Sequence, residues 1–173
     1  MDLLAAIMTR RSVRSFEDRE VEHEKIWAIL NAANRAPSAG NLQAYDIFIV
    51  RDALRRKAVA EATKEQECVA RAPIILAFCA DPQLSAQRYG DRGRYLFSLQ
   101  DATIACSFAM LAATALALGS VWVGSWEDDD AMRRAIGAPA DRTPVALLLI
   151  GYPADEPHQK KRKSLSDLVH EMK

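Results

Sequence analysis

Twenty-five consecutive residues, Ala102 to Trp126, carry no charge. The run divides into an alanine-rich helical stretch and the strand-like Val121–Trp122–Val123, which Gly119 separates by stopping the helix. A segment of this kind demands a cover. A membrane is one candidate, but Ala102–Leu118 is 17 residues, short of the roughly 20 that a spanning helix needs. Thr103, Ser107 and Thr114 also interrupt it. A helix buried on most sides is the better reading, and it leaves room for a second copy of the chain as part of the cover.

The remaining 148 of the 173 residues hold all the charge, so a soluble chain with a real core is expected. Formal net charge is zero, which removes the global field that nucleic acid or an anionic membrane would recognise. Three cysteines, Cys68, Cys79 and Cys106, without a CxxC interval, point to a reducing, cytoplasmic setting and against a disulfide framework or zinc site. His23, His158 and His170 lie in polar contexts and read as solvated, so no metal is expected.

Along the chain, Asp2–Thr9 is expected to be a helix with Leu3, Leu4, Ile7 and Met8 as its apolar face. Glu24–Arg35 follows as a helix that buries Ile26, Trp27, Ile29, Leu30 and Ala33. Residues 36–41 form a breaker cluster and hence a loop. Strands are expected over Tyr45–Val50, Pro73–Ala80, Ser120–Trp126 and Pro144–Tyr152. Ala53–Ala72 is helical with a break near Thr63, Asp81–Gly93 is a polar connection, and Arg94–Leu118 is the long helix. Glu127–Ile136 has acids in its first turn, arginines in its last and Gly137 as a stop. Ser164–Asp167 has the spacing of a capping box. The pattern is α+β, a central sheet wrapped by helices in one domain over residues 1–173.

Several chemistries lack their signatures. GxGxxG, GxxxxGK, HExxH and GxSxG do not occur. What remains suits an anion and a flat ring. Arg10-Arg11-Ser12-Val13-Arg14 packs three guanidiniums and a hydroxyl into five residues, and arginine binds phosphate through paired hydrogen bonds. In an extended segment Arg10, Ser12 and Arg14 share one side and could converge on one anion. The same run reads equally well as a solvated basic turn. Lys160–Lys163 is either a solvated tail or a second arm to that anion. No aromatic residues interleave with it, which argues against nucleic acid. The Pro37–Gln43 loop has small residues that admit a close ligand, and Asn41 and Gln43 offer paired donors and acceptors. It also reads as a plain helix-ending turn. Gly124 suits close approach of a ligand to the strand.

These elements together resemble the nitroreductase family of flavoproteins. The residues are RRSVR (Arg10–Arg14), APSAGNLQ (Ala36–Gln43), YGDRGRYLFSLQDA (Tyr89–Ala102), LALGSVWVGSW (Leu116–Trp126) and PVALLLIGYP (Pro144–Pro153), in family order over essentially the whole chain. The resemblance implies an α+β fold with a central, mainly antiparallel sheet flanked by helices, and an intertwined homodimer with the long helix in its interface. It implies FMN in two equivalent sites between the subunits. Arg10, Arg11, Ser12 and Arg14 would hold the ribityl phosphate, with Lys160 and Arg162 completing that site. Pro37, Ser38, Ala39 and Asn41 would come from the partner subunit against the flavin, and Trp122, Val123 and Gly124 would border the isoalloxazine. Gln66 is a further edge contact. The activity implied is two-electron ping-pong transfer from NADH or NADPH, through flavin N5, to a small-molecule acceptor such as a nitroaromatic or quinone. No catalytic side chain is required. Reductive dehalogenation, flavin fragmentation, deazaflavin-linked redox and non-catalytic flavin binding are the other roles such a chain would fill. Two departures stand out: Ala44-Tyr45 follows Gln43 where the family often has proline and an aromatic, and the chain is short, lacking a helical segment that longer members place beside the flavin.

Overall fold

The computed structural model describes residues 1–64, 66–157 and 160–172. Four strands, β1 (Tyr45–Val50), β2 (Ile74–Ala80), β3 (Gly119–Val123) and β4 (Thr143–Gly151), form one sheet in the order β1-β2-β4-β3, antiparallel throughout. Every residue of β2 is buried, because the strand is covered on both sides. Leu76 and Phe78 face one apolar cluster, and Ile75, Ala77 and Cys79 face the other. This is why β2 reads as a continuous apolar run rather than an alternating one.

The first cluster is closed by α2 (His23–Asn34) and the long α6 (Ser98–Ala115). Helix α2 presents Ile26, Ile29 and Ala33. Trp27, expected in that face, is 53% exposed and its indole donates to His23 instead. The second cluster is closed by α3 (Ala53–Ala62), α4 (Glu67–Arg71) and α7 (Asp129–Ile136), through Val59, Val69, Met132 and Ile136. The break expected near Thr63 separates α3 from α4. Helix α7 is capped by the Asp128 carboxylate, which accepts from the Asp130 amide, and ends on Gly137 at φ 76°.

Helix α1 (Leu3–Thr9) forms as expected, but its apolar face points outward. Ala6 is the buried residue, while Leu3, Leu4, Ile7 and Met8 are exposed. The polar connection expected over Asp81–Gly93 is instead helix α5 (Pro82–Arg92), started by an Asp81 cap and Pro82 in its first turn. A wide turn, Gly93–Phe97, joins α5 to α6. Helix α6 ends earlier than expected. Gly119 belongs to β3, and the left-handed residue past the helix end is Ala117, at φ 60°. The capping box at Ser164 does not form: Ser164 pairs with the Ser166 hydroxyl and a single tight turn, Leu165–Asp167, follows.

Most alanines of α6 point inward. Ala105, Ala109 and Ala113 lie against the chain's own sheet and α2, with the buried Cys106 among them, and Ala102 is buried as well. The outward face carries Thr103, Ser107 and Phe108, all exposed, with Leu111 and Ala115 half-buried. Helix α6 with its preceding turns is long and apolar enough to cross a membrane, but its packing on the sheet and its buried Asp101 are those of a core helix. Exposed apolar residues therefore gather on α1, on the outer side of α6 and on the tail at Leu165, Leu168 and Val169.

Candidate functional site

The basic run follows α1 as an irregular extended segment laid beside β3. The Val13 amide donates to the Ser120 carbonyl at 2.9 Å, and Ser12 and Ser120 form a parallel bridge. Val13 is buried where Gly119 leaves room, since a Cβ on Gly119 would lie 2.8 Å from the Val13 side chain. Anchoring Val13 inward turns Ser12 and Arg14 outward, the alternation that extended backbone dictates.

The guanidiniums divide in two groups. Burial holds Arg10 below its ordinary arginine value, and repulsion from Arg162 and then Arg11 adds to this. The tail cation Arg162 thus returns to the start of the chain. Among the described residues none of the three forms an ion pair with a carboxylate. Like charges held together without a counter-charge are an arrangement that an anion stabilises. Arg11 is partly committed elsewhere: it donates to the Met8 carbonyl at 2.8 Å and the Arg10 carbonyl at 2.9 Å, closing the end of α1. Lys160 is exposed near Arg162 in sequence.

Arg14 turns another way. Its charge acts on the Cys68 thiol in α4, opposing the burial that pushes that thiol up. Four residues of extended chain put the Arg10 and Arg14 backbones about 13 Å apart. Arg14 belongs with the far end of β3. There the Gln66 side-chain amide donates to the Ser125 carbonyl at 3.4 Å. The half-buried Trp122 indole lies over Gly124, where a Cβ would come 3.1 Å from the indole nitrogen. The Val123 side chain is in the core, so only its backbone is left to face a ligand.

The Pro37–Gln43 loop is built differently. Gly40, Asn41 and Gln43 all have left-handed backbone, at φ 58°, 58° and 46°. Outside glycine this conformation costs about 1–2 kcal/mol per residue, so the loop needs support. Its Ser38 hydroxyl accepts from the Gln43 amide at 3.0 Å, and the Gln43 side chain donates to Ser38 and Asn41. The Gln43 amide nitrogen is therefore committed within the loop rather than offered to a ring. Arg88 of α5 donates to the Gly40 carbonyl at 3.1 Å. From α6, the carboxylate of Asp101 accepts from the Ala39 amide at 2.8 Å and the Ala44 amide at 3.4 Å. Burial raises the Asp101 pKa, and the two backbone donors oppose that rise. Pro37, Gly40 and Asn41 remain exposed at the tip.

The two groups of residues sit at opposite ends of α6. Asp101 holds the loop near its start, while Thr114, near its end, lines with Arg11, Val13 and Gly119 an open cavity of ≈650 Å³. Thirteen helical steps separate Asp101 from Thr114, about 20 Å. Within the chain, then, the structure brings Arg10, Arg11 and Arg162 together, and sets Ser12, Arg14, Trp122, Gly124 and Gln66 along β3. It leaves Pro37, Ser38, Ala39 and Asn41 apart from both. Sequence reasoning missed Asp101 and Arg88; the one available signal was a lone acid at the threshold of the uncharged run.

The family model described as "Nitroreductase family" matches residues 7–67 and 56–152. The chain belongs to the nitroreductase family. A protein of Archaeoglobus fulgidus, provisionally named NADH dehydrogenase/NAD(P)H nitroreductase, is 36% identical over 158 residues, covering 90% of this chain and 87% of its own. The NADH dehydrogenase of Thermus thermophilus is 30% identical over 196 residues, covering 98% and 95%. Among solved nitroreductase structures, nitroreductase A of Vibrio parahaemolyticus superposes with a TM-score of 0.90 at 27% identity, covering all of this chain and 77% of that one. The nitroreductase motifs, read in order along the sequence, thus fall on a nitroreductase fold.

Proposed function

We propose that this chain is an NAD(P)H-dependent flavin oxidoreductase that works as a homodimer, each FMN held between the cation end of one subunit and the Pro37–Asn41 loop of the other. The observation that carries this reading is the separation of the two groups along α6. An antiparallel pairing of two α6 helices brings the loop end of each subunit to the cation end of its partner, as two-fold symmetry requires. The exposed apolar residues of α1 and the outer side of α6, Phe108 among them, supply the surface for that pairing. The relatives' names support the activity: FMN reductase [NAD(P)H] in Bacillus subtilis and oxygen-insensitive NADPH nitroreductase in Salmonella typhimurium.

The residues fit the cofactor. Arg10 and Arg162, with the free N–H groups of Arg11, the Ser12 hydroxyl and Lys160, meet the needs of a phosphate dianion. Arg14, two residues beyond the Ser12–Ser120 bridge in a segment that runs parallel to β3, would place a positive charge towards the ring, where it favours an anionic reduced form. Ser38, Ala39 and Asn41 offer small side chains and backbone to the partner's site. When bound, FMN supplies two-electron chemistry between NADH or NADPH and a small oxidised acceptor, of which nitroaromatics and quinones are the classes proposed. The side chains orient, neutralise and shield; none is required to exchange a proton with the acceptor.

Subunit complementation tests this directly. Arg10→Ala and Asn41→Ala homodimers should each bind FMN about ten- to a hundredfold more weakly, the size of one lost charge-assisted or neutral contact in a buried site. Mixed after unfolding together and refolding, the two variants should recover about a quarter of the wild-type sites, because each hybrid dimer rebuilds one intact site. No recovery on mixing would place both groups in one subunit and end the shared-site reading.

A further inference from the structure

One charged side chain interrupts the buried face of α6. Asp101 is 2% exposed, lies on a helix whose other buried residues are small or apolar, and has no cation within ion-pair distance among the described residues. A carboxylate so placed is costly to bury, and an apolar residue of similar size would serve folding alone at least as well. Its hydrogen-bonding partners show what it does. They are two backbone N–H groups, those of Ala39 and Ala44, on either side of the three left-handed residues Gly40, Asn41 and Gln43. A single rigid group thus pins both ends of a turn whose backbone would otherwise relax. Helix α6 in turn anchors that group in the core.

We propose that Asp101 is the positioning residue for the flavin-facing loop: its carboxylate clasps the Ala39 and Ala44 amides and holds Ser38, Ala39 and Asn41 preformed for the FMN of the partner subunit. The proposal rests on the reading of the loop given above. Asp101 touches neither the flavin nor the acceptor; it acts through the shape of the loop. The clasp limits the ordering that the loop must undergo when ligand binds, the usual gain from preorganisation.

Two variants test it. Asp101→Asn keeps one acceptor and sets a donor against the Ala44 amide. Ala39→Pro deletes one of the two clasped donors while leaving Asp101 in place, and proline suits the first position of a short helical turn. Backbone amide exchange in the flavin-free protein should speed up at Ala39 and Ala44 by about tenfold or more in Asp101→Asn. At a temperature where both proteins are fully folded, FMN should bind about tenfold more weakly, and the visible circular dichroism of bound flavin should change. Global destabilisation alone moves neither of these two readouts. The double variant should bind no more weakly than the weaker single one, because both changes break one clasp. An unchanged FMN Kd and dichroism in Asp101→Asn, or fully additive losses in the double variant, overturn the inference. Failure of the wild-type protein to bind FMN overturns the site reading itself, so the two failures are distinguishable.

Discussion

Gly40 shows how tightly single residues are constrained around the loop. Its backbone is left-handed, at φ 58°, and a Cβ there would lie 2.7 Å from Arg88 Nη1 and meet the Tyr89 hydroxyl. Gly40→Ala therefore adds strain and displaces two side chains, and should lower stability by about 1–3 kcal/mol, read as a shift in the urea midpoint. Glu22 makes a pH prediction. Tyr152 donates to its carboxylate at 2.6 and 2.7 Å, with Lys25 alongside, and this holds Glu22 down to about 2 from an ordinary 4.5. A depressed carboxylate stabilises the fold above its unfolded pKa, and that stabilisation disappears as pH falls through the folded one. Urea midpoints of wild type and Glu22→Gln should therefore differ above pH 4.5 and converge towards pH 2. At this scale the cation run was legible from composition, since three arginines in five residues need an anion or water. Its division between Arg10 and Arg14 was not, because it depends on pairing with Ser120, far away in sequence. Asp101 was hidden for the same reason: its partners are 62 and 57 residues away.

Element by element, the pattern of apolar residues carried most of the fold. Strand β1 occupies Tyr45–Val50 as read, and β2 and β4 differ from the reading by one residue at each shifted end. An unbroken apolar run marks β2 and most of β4 because both of their faces are buried. Helix α5 was missed, although Asp81 and Pro82 form a good start signal. The segment reads as a polar connection, yet it is helical, with Gly90 inside the element at φ 56° and ψ −141°, and the chain continues into α6. The end of α6 was misplaced because the sequence offers a glycine two residues after the position that needs one. Ala117 takes the left-handed conformation at φ 60°, which costs a non-glycine residue about 1 kcal/mol. Ala117→Gly should raise stability by up to about 1 kcal/mol in chemical denaturation; an unchanged or lower midpoint would show that the Ala117 methyl contributes packing that offsets the strain.

At the scale of the whole molecule, the uncharged run has one cover within the chain and one face without any. Ala105, Ala109 and Ala113 are covered by the chain's own sheet and α2, and the outer face, with Phe108 38% exposed, is the surface that the proposed dimer would use. Phe108→Glu should shift the dimer towards monomer in sedimentation velocity, weakening association by about 30-fold or more if this residue is central to the contact, and bound flavin should be released with it. The order of the strands has a separate consequence, for biosynthesis. The last strand made, β4, lies between β2 and β3. Until residues 143–151 have been made, β1 and β2 can pair with each other, and β3 has no neighbour in the sheet. Only the arrival of β4 joins the two parts into one sheet, so closure depends on contacts distant in sequence, and the facing edges of β2 and β3 stay open until it docks.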